Sequence, residues 1–344
     1  MDKMPGLNYQ SFLAAAIKDY LDYLDNLGFC IEPQASNLKR IDAFLVENNI
    51  GCMQECDSRL WLALMAQNQG RVKGTTLRGW RNTFHGLCRY LVRQGCMSEN
   101  PVDAFPIPRL EHYRPYVFSL DELRRFFNYL QQQADHHLAD PWTFFRFRSR
   151  YVFYHLLYAC GLRASEGVRV TTTDYSTQEH TLFIQPSKFH KDRLIPIGGR
   201  VASNLESLLQ LRQRLFGIPP EGPFFLFLPE RRPYTPHMAS NYFRTTIRHL
   251  GIYRPEITYR NCTHGTPHLH ELRRAFAVHR LMRWYRDKAD VDAKLPLLAT
   301  YMGHCRFEYT KTYLTLTQRL LSEAGTRFAR SFDRLDWMPH GPEL

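Results

Sequence analysis

Two tyrosines four residues apart, Tyr309 and Tyr313, close the stretch GHCRFEYTKTY at 303–313. A phenol is a usable nucleophile only if its proton can leave, because its pKa lies near about 10. On a helix the two would share one face, where a Tyr is more often a packing residue than a nucleophile. On chemistry alone they are tied. His304 stands five residues before the first and nine before the second. Two earlier segments add charged groups: GLRASE at 161–166 carries Arg163 and Glu166, and HELRRAF at 270–276 carries His270 and Arg273. Taken singly, each arginine reads as a surface ion pair worth about 0–1 kcal/mol, and His270 as a helix-cap or core histidine. Lys188 and Lys191 in PSKFHKD read as solvated turn residues. Cys262, His264, His268 and His270 form a local C-x-H-x3-H-x-H cluster. That spacing matches no standard zinc finger, so no metal site is expected.

The chain has 344 residues, which favours two domains over one core. Its net charge is +12, from 45 Lys+Arg against 33 acidic residues. An excess of that size points toward a polyanion, nucleic acid being the commonest. Eight scattered cysteines without a C-x-x-C pair read as reduced thiols. The N-terminus MDKMPGLNYQ carries no signal-peptide apolar core, and no apolar run approaches a bilayer span. A soluble, cytoplasmic protein with no membrane partner is expected.

Residues 10–100 read as helical. Leu13, Ile17, Tyr20, Leu21, Leu24 and Leu27 recur at helical spacing before Gly28; Leu77, Trp80, Phe84, Leu87 and Leu91 do so before Gly95. The second run carries a separate basic stripe of Arg78, Arg81, His85 and Arg89, extended by Arg71 and Lys73. It suits a helix packed on a core and laid on phosphates, or equally a solvated face. Four prolines in 101–115 predict an extended linker. The boundary falls near 112–117, giving domains 1–112 and 113–344. In the second, Ser119 opens a capping box, and residues 181–185 and 193–197 pair as a hairpin with Pro196 on an edge strand. FFLFL at 224–228 reads as a strand or a buried segment. Thr235 caps a helix with Pro236 at its first position. The tail from 318 sets Leu321, Ala324, Phe328, Phe332 and Leu335 on one face.

Taken in order, GLRASE, HELRRAF and GHCRFEYTKTY resemble the boxes of the tyrosine recombinases, also called phage integrases. That family has an Arg in a GLR-x-SE box, then H-x-x-R, then GH with a Tyr nine residues after the His. The resemblance spans most of residues 10–317. It implies a mainly α fold with a small antiparallel sheet: a two-domain clamp of a helical, SAM-like core-binding domain and a catalytic domain. It selects Tyr313 over Tyr309. It also implies a catalytic Lys in the hairpin turn, aligned with Lys188, with Lys191 as runner-up. Phe189 stands where the family usually has Gly, and Arg274 where it often has His.

The implied chemistry is breakage and rejoining of DNA through a 3′-phosphotyrosyl bond. Arg163 and Arg273 would grip the phosphate oxygens with fixed forks. His304 would hydrogen-bond the phosphate, His270 would take the phenol proton, and Lys188 would protonate the leaving 5′ oxygen. Glu166 would orient Arg163. The phosphate energy is retained, so neither metal nor other cofactor is implied. Partners would be double-stranded DNA at specific recombination sites and three further copies in a tetramer, with accessory recombinases or DNA-bending proteins possible, at a bacterial nucleoid. The wording ADV-x-A-x-LPLLATYMGH at 289–304 looks like members carried by transposons and other mobile elements, which implies integration, excision or cointegrate resolution. A catalytically inactive DNA-binding regulator of the same fold and a type IB topoisomerase-like enzyme stand as alternatives.

Overall fold

The computed structural model describes residues 8–107, 112–185, 192–217, 221–227, 230–259, 262–304, 310 and 312–317. Lys188, Lys191, Tyr309 and the tail from 318 lie outside them. The chain divides into two compact units, 1–112 and 113–344. Most described residues are helical, with small antiparallel sheets. Among the described residues no helix is long and apolar enough to cross a membrane.

The first unit holds α1 (Ala14–Asn26), α2 (Glu32–Glu47), α3 (Ser58–Gln67) and α4 (Gly74–Arg93). Apolar side chains three and four apart turn one face of each helix inward. Ile17, Tyr20 and Leu21 of α1 join Leu77, Trp80, Phe84, Leu87 and Leu91 of α4 in one core. Buried Asp42 of α2 ties down the entry to α1, accepting from the Gln10 and Ser11 backbone N–H groups at 2.8 and 3.0 Å and from Ser11 Oγ.

The expected linker is only partly one. Pro101–Ala104 forms a 3-10 turn, and Val102 and Phe105 are buried in the first unit's core. Phe105 stacks on Trp61, and Trp61 Nε1 donates to Pro106 O at 3.2 Å. Proline forbids a long helix here but permits a tight turn; what holds the turn in place is the burial of its two apolar residues.

The second unit opens with β1 (His112–Arg114) and α5 (Leu120–His136), where Ser119 and Glu122 close the capping box. Then come α6 (Pro141–Ala159), the single turn α7 (Ala164–Gly167), β2 (Tyr175–Ser176), β3 (Thr181–Ile184) and β4 (Arg193–Pro196). The sheet order is β2-β3-β4, so Pro196 does sit on an edge strand. Next are α8 (Gly199–Phe216), β5 (Leu226–Phe227), β6 (Arg232–Pro233), α9 (Pro236–His249), β7 (Ile257–Tyr259) and β8 (Cys262–His264). Helices α10 (Glu271–Arg286) and α11 (Val291–Met302) follow, and residues 312–317 are helical. Strand β8 lies between β1 and β7 in a three-stranded sheet that periodicity did not reveal, because three-residue strands are too short to show alternation.

Two cores fill this unit. The larger is aromatic, with Phe126, Phe145, Phe153, Tyr154, Phe224, Phe225 and Phe243 all at or below 2% exposure. The smaller packs Phe276, Ala277 and Leu281 of α10 against Val291, Leu295, Leu298 and Met302 of α11, and Tyr313 completes it.

Candidate active site

Two left-handed turns bring the three sequence boxes together. After α6 the chain turns at Gly161, with φ +60°, and after α11 at Gly303, with φ +67°. Both positions need glycine. A Cβ at Gly161 would lie 2.4 Å from the Phe276 ring, and one at Gly303 2.8 Å from Arg193 Nη1. These turns aim carbonyls into the site. Arg273 Nη1 donates to Gly161 O at 2.6 Å and Nη2 to Met302 O at 2.5 Å. Arg163 Nη2 reaches Gly303 O at 3.4 Å. Thus the first box holds the arginine of the second, the third holds the arginine of the first, and the residue just before the third also holds Arg273.

Glu166 lies at the centre, with its side chain fully buried. Its Oε2 accepts from the Arg163 backbone N–H at 2.8 Å, and its Oε1 from Arg163 Nη1 at 2.6 Å. Arg193 adds a fork, Nη1 to Oε1 at 3.2 Å and Nη2 to Oε2 at 3.0 Å. Arg273 Nη1 stands 3.8 Å from Oε2. Burial alone would raise the Glu166 pKa; the Arg193 hydrogen bonds and charge, the Arg163 N–H and the Arg273 charge overcome it and hold the pKa at about 2. One carboxylate therefore faces three guanidiniums. Arg273 shows the resulting excess of positive charge: burial first, then the charge of Arg163, brings its pKa down to about 10. Each terminal nitrogen of Arg273 carries a second N–H beyond the one spent on a carbonyl. This is the electrostatics of a site built for an anion.

His304 follows Gly303, and its Nδ1 lies 2.7 Å from Thr310 Oγ1. Its ring centroid is 5.8 Å from that of Tyr313. Burial, then Arg273, Arg163 and Arg193, lower its pKa to about 4. His270 precedes α10, with part of its ring open to solvent. Crowding by protein atoms, then the cations Arg274 and Arg273, His268 and Arg163, bring it to about 4 as well. Both imidazoles are neutral at pH 7, and a neutral imidazole offers one ring N–H as a donor and one ring nitrogen that can accept a proton. Tyr313 is 7% exposed. A negative charge on Tyr313 would favour the charged form of Arg273. Thr317 Oγ1 donates to Tyr313 O at 2.8 Å.

Arg163, Glu166, Arg273, His304 and Tyr313 are thus assembled, with His270 at the rim. Lys188 and its runner-up Lys191 fall outside the described residues, as does Tyr309, the rival phenol. Arg193 was missed. It follows Lys188 and Lys191 in the sequence but reads locally as one strand residue. Of the Cys/His cluster, Cys262 and His264 belong to β8, and His268 Nδ1 stands 3.2 Å from Glu271 and 2.9 Å from Thr266 O.

The basic stripe on α4 is less uniform than its spacing suggested. Arg78 and Arg89 are exposed, as are Arg71 and Lys73 ahead of them. Arg81, however, donates to Phe105 O at 3.2 Å and Val102 O at 2.8 Å, and His85 Nε2 lies 2.9 Å from Asp103 Oδ1. The folded-back 101–105 segment uses these two residues inside the unit.

The phage integrase family model matches residues 121–319, more than half of the chain. The chain is 25% identical over 323 residues to the protein y4rB of Sinorhizobium fredii, covering 92% of this chain and 97% of that one. Its fold is similar to that of XerH site-specific recombinase bound to a palindromic difH substrate in a post-cleavage complex (TM-score 0.63, 16% identity, 91% and 84% of the two chains). It is also similar to the Tn1549 transposon integrase in complex with a circular intermediate DNA (TM-score 0.62, 14% identity, 87% and 94%). The chain belongs to the phage integrase family, the tyrosine recombinases, and is an enzyme of the site-specific recombinase class.

Proposed function

We propose that Tyr313 is the nucleophile of this recombinase and that Arg163 and Arg273 hold the DNA phosphate it attacks. The single observation that carries this reading is the surplus of guanidinium over carboxylate around Glu166, beside His304 and Tyr313. Attack of the phenol oxygen on phosphorus adds negative charge to the non-bridging oxygens. Preorganised donors that already exist before the DNA arrives stabilise that charge without reorganising. Glu166 keeps Arg163 in place through both its backbone N–H and its side chain. His304 donates to the phosphate, and His270 takes the phenol proton. A bound phosphate offsets the surrounding cations and so raises the pKa of both rings toward neutrality. Lys188 protonates the leaving 5′ oxygen. The P–O5′ bond breaks as the P–O(Tyr) bond forms, and the reverse reaction rejoins the strand with no cofactor.

The first unit, 1–112, is the core-DNA-binding domain in this reading, and 113–344 is the catalytic domain. Exposed Arg71, Lys73, Arg78 and Arg89 suit phosphate contacts; Arg81 and His85 shape the helix that carries them. The substrate is double-stranded DNA at two specific sites, worked on by four copies. The sequence of 289–304 and the likeness in fold to a transposon integrase support service to a mobile element.

Nicked duplexes cut from DNA flanking the gene test the proposal. Attack near the nick releases a short 5′-hydroxyl fragment and traps protein on the 3′ phosphate. An inactive DNA-binding relative would bind these duplexes and leave no adduct. A topoisomerase-like enzyme would relax supercoiled DNA without exchanging strands between two sites.

A further inference from the structure

Arg193 lies on the first residue of β4, immediately after the connection that carries Lys188 and Lys191. Its side chain is 9% exposed and has three separate attachments. Nη1 and Nη2 fork onto the two oxygens of Glu166. Nε donates to Tyr301 O at 2.8 Å. The guanidinium also packs so closely on Gly303 that a Cβ there would meet Nη1 at 2.8 Å. Tyr301 begins the run whose next carbonyls, those of Met302 and Gly303, hold Arg273 and Arg163, and whose next side chain is His304.

An exposed cation could neutralise Glu166 from any direction. A buried planar fork with a third donor at right reach for a backbone carbonyl fixes a strand relative to two other elements. Arg193 is separated from Glu166 by 27 residues and from Tyr301 by 108, so its bonds tie distant parts of the chain. Arg163 and Arg273 would still face Glu166 without it. What would be lost is the bond between the β3–β4 hairpin and the phosphate-holding group.

We infer that Arg193 is a positioning residue that locks the lysine-bearing hairpin to the Glu166 carboxylate and to the backbone leading into His304, so that leaving-group protonation and phosphate binding occur in register. The inference rests on the reading of Lys188 or Lys191 as the acid that protonates O5′. In that step the P–O5′ bond breaks, its electron pair goes to O5′, and the proton comes from the lysine ammonium. A 5′-bridging phosphorothiolate replaces O5′ with sulfur, and the thiolate departs without a proton.

The test is single-turnover cleavage of nicked duplexes with oxygen or sulfur at that bridging position. Arg193→Gln slows the oxygen substrate on the order of 100-fold, the cost of misplacing a reacting group by about an ångström. On the sulfur substrate it returns to near the wild-type rate, as does whichever of Lys188→Ala and Lys191→Ala removes the acid. Arg163→Ala stays slow on both. Equal slowing of Arg193→Gln on both substrates, or an unimpaired oxygen reaction, overturns the inference. Should Arg193→Gln fail to fold, Arg193→Lys keeps the charge, loses the fork and is read by the same ratio. If neither lysine variant is rescued by sulfur, the acid assignment itself fails; if one is rescued and the Arg193 variants are not, only the latch fails.

Discussion

The two units use arginine in opposite ways. On α4 of the first unit, Arg78 and Arg89 stand in solvent, and Arg81 is tied to carbonyls of its own unit. In the second unit, Arg163, Arg193 and Arg273 gather around one buried carboxylate, with Arg273 only 2% exposed. Solvated cations attract any polyanion, weakly for each contact and in proportion to counterions released. Buried cations are costly to desolvate and are tolerated when well paired or when held for an incoming charge. The first arrangement is suited to finding and lying along DNA, the second to acting on one phosphate.

Replacements in the buried group should therefore have the larger effects. Arg273→Lys keeps a charge but cannot reach both Gly161 O and Met302 O with one fork. Single-turnover cleavage should fall on the order of 10²–10³-fold, as for loss of one oxyanion donor. A change under tenfold would place Arg273 among structural ion pairs and dissolve the contrast.

Arg81 belongs to neither pattern and sharpens the comparison. Arg81→Ala removes two charge-assisted bonds to Val102 and Phe105, so the protein should lose about 1–3 kcal/mol in denaturant titration. If its stability is unchanged and DNA binding weakens with a shallower salt dependence, Arg81 belongs with the DNA-facing cations. Arg78→Ala combined with Arg89→Ala should leave stability intact and lower the slope of log K against log salt by about 1–2, near 0.9 per phosphate contact. An unchanged slope would remove α4 from the DNA surface.

Acid should separate the units through three histidines of the second. His304, His270 and, on α6, His155 have pKa values held at about 4, in each case by burial first and by neighbouring cations after it. The unfolded chain takes up these protons near pH 6.5, so their contribution to stability is complete above that value and falls as pH drops toward 4. Glu166, held at about 2, works in the same direction but lower: its contribution is full above about 4.5 and is lost as pH falls through 2. Melting temperature should be flat from pH 6.5 to about 8 and decline below 6.5, and His304→Gln should decline less steeply. An equal decline would detach His304 from the cationic cluster.

Much of the site was legible in the sequence because its residues occur in short boxes of fixed order. Arg163, Glu166, Arg273, His304 and Tyr313 were named by the resemblance of GLRASE, HELRRAF and GHCRFEYTKTY to the family's boxes; taken singly none stood out, and Tyr309 and Tyr313 were tied. The helices α1 and α4 followed from their apolar periodicity, and α5 and α9 from their caps. Arg193 was not legible, because its meaning lies in partners 27 and 108 residues away. The same limit hid the fate of Arg81 and His85. Four prolines suggested a linker, and nothing local announced that Val102 and Phe105 would be buried and bring their carbonyls back to α4. The β1-β8-β7 sheet escaped because its strands are three residues long.

The most direct test of the central claim is the chemical identity of the trapped adduct. A nicked duplex from DNA flanking the gene is incubated with the full chain, the covalent complex is digested, and the nucleotide-bearing peptide is sequenced by mass spectrometry. The account predicts a 3′-phosphotyrosyl bond at Tyr313, and no adduct from Tyr313→Phe despite unimpaired DNA binding. A bond at Tyr309, or an adduct that survives in Tyr313→Phe, would contradict it.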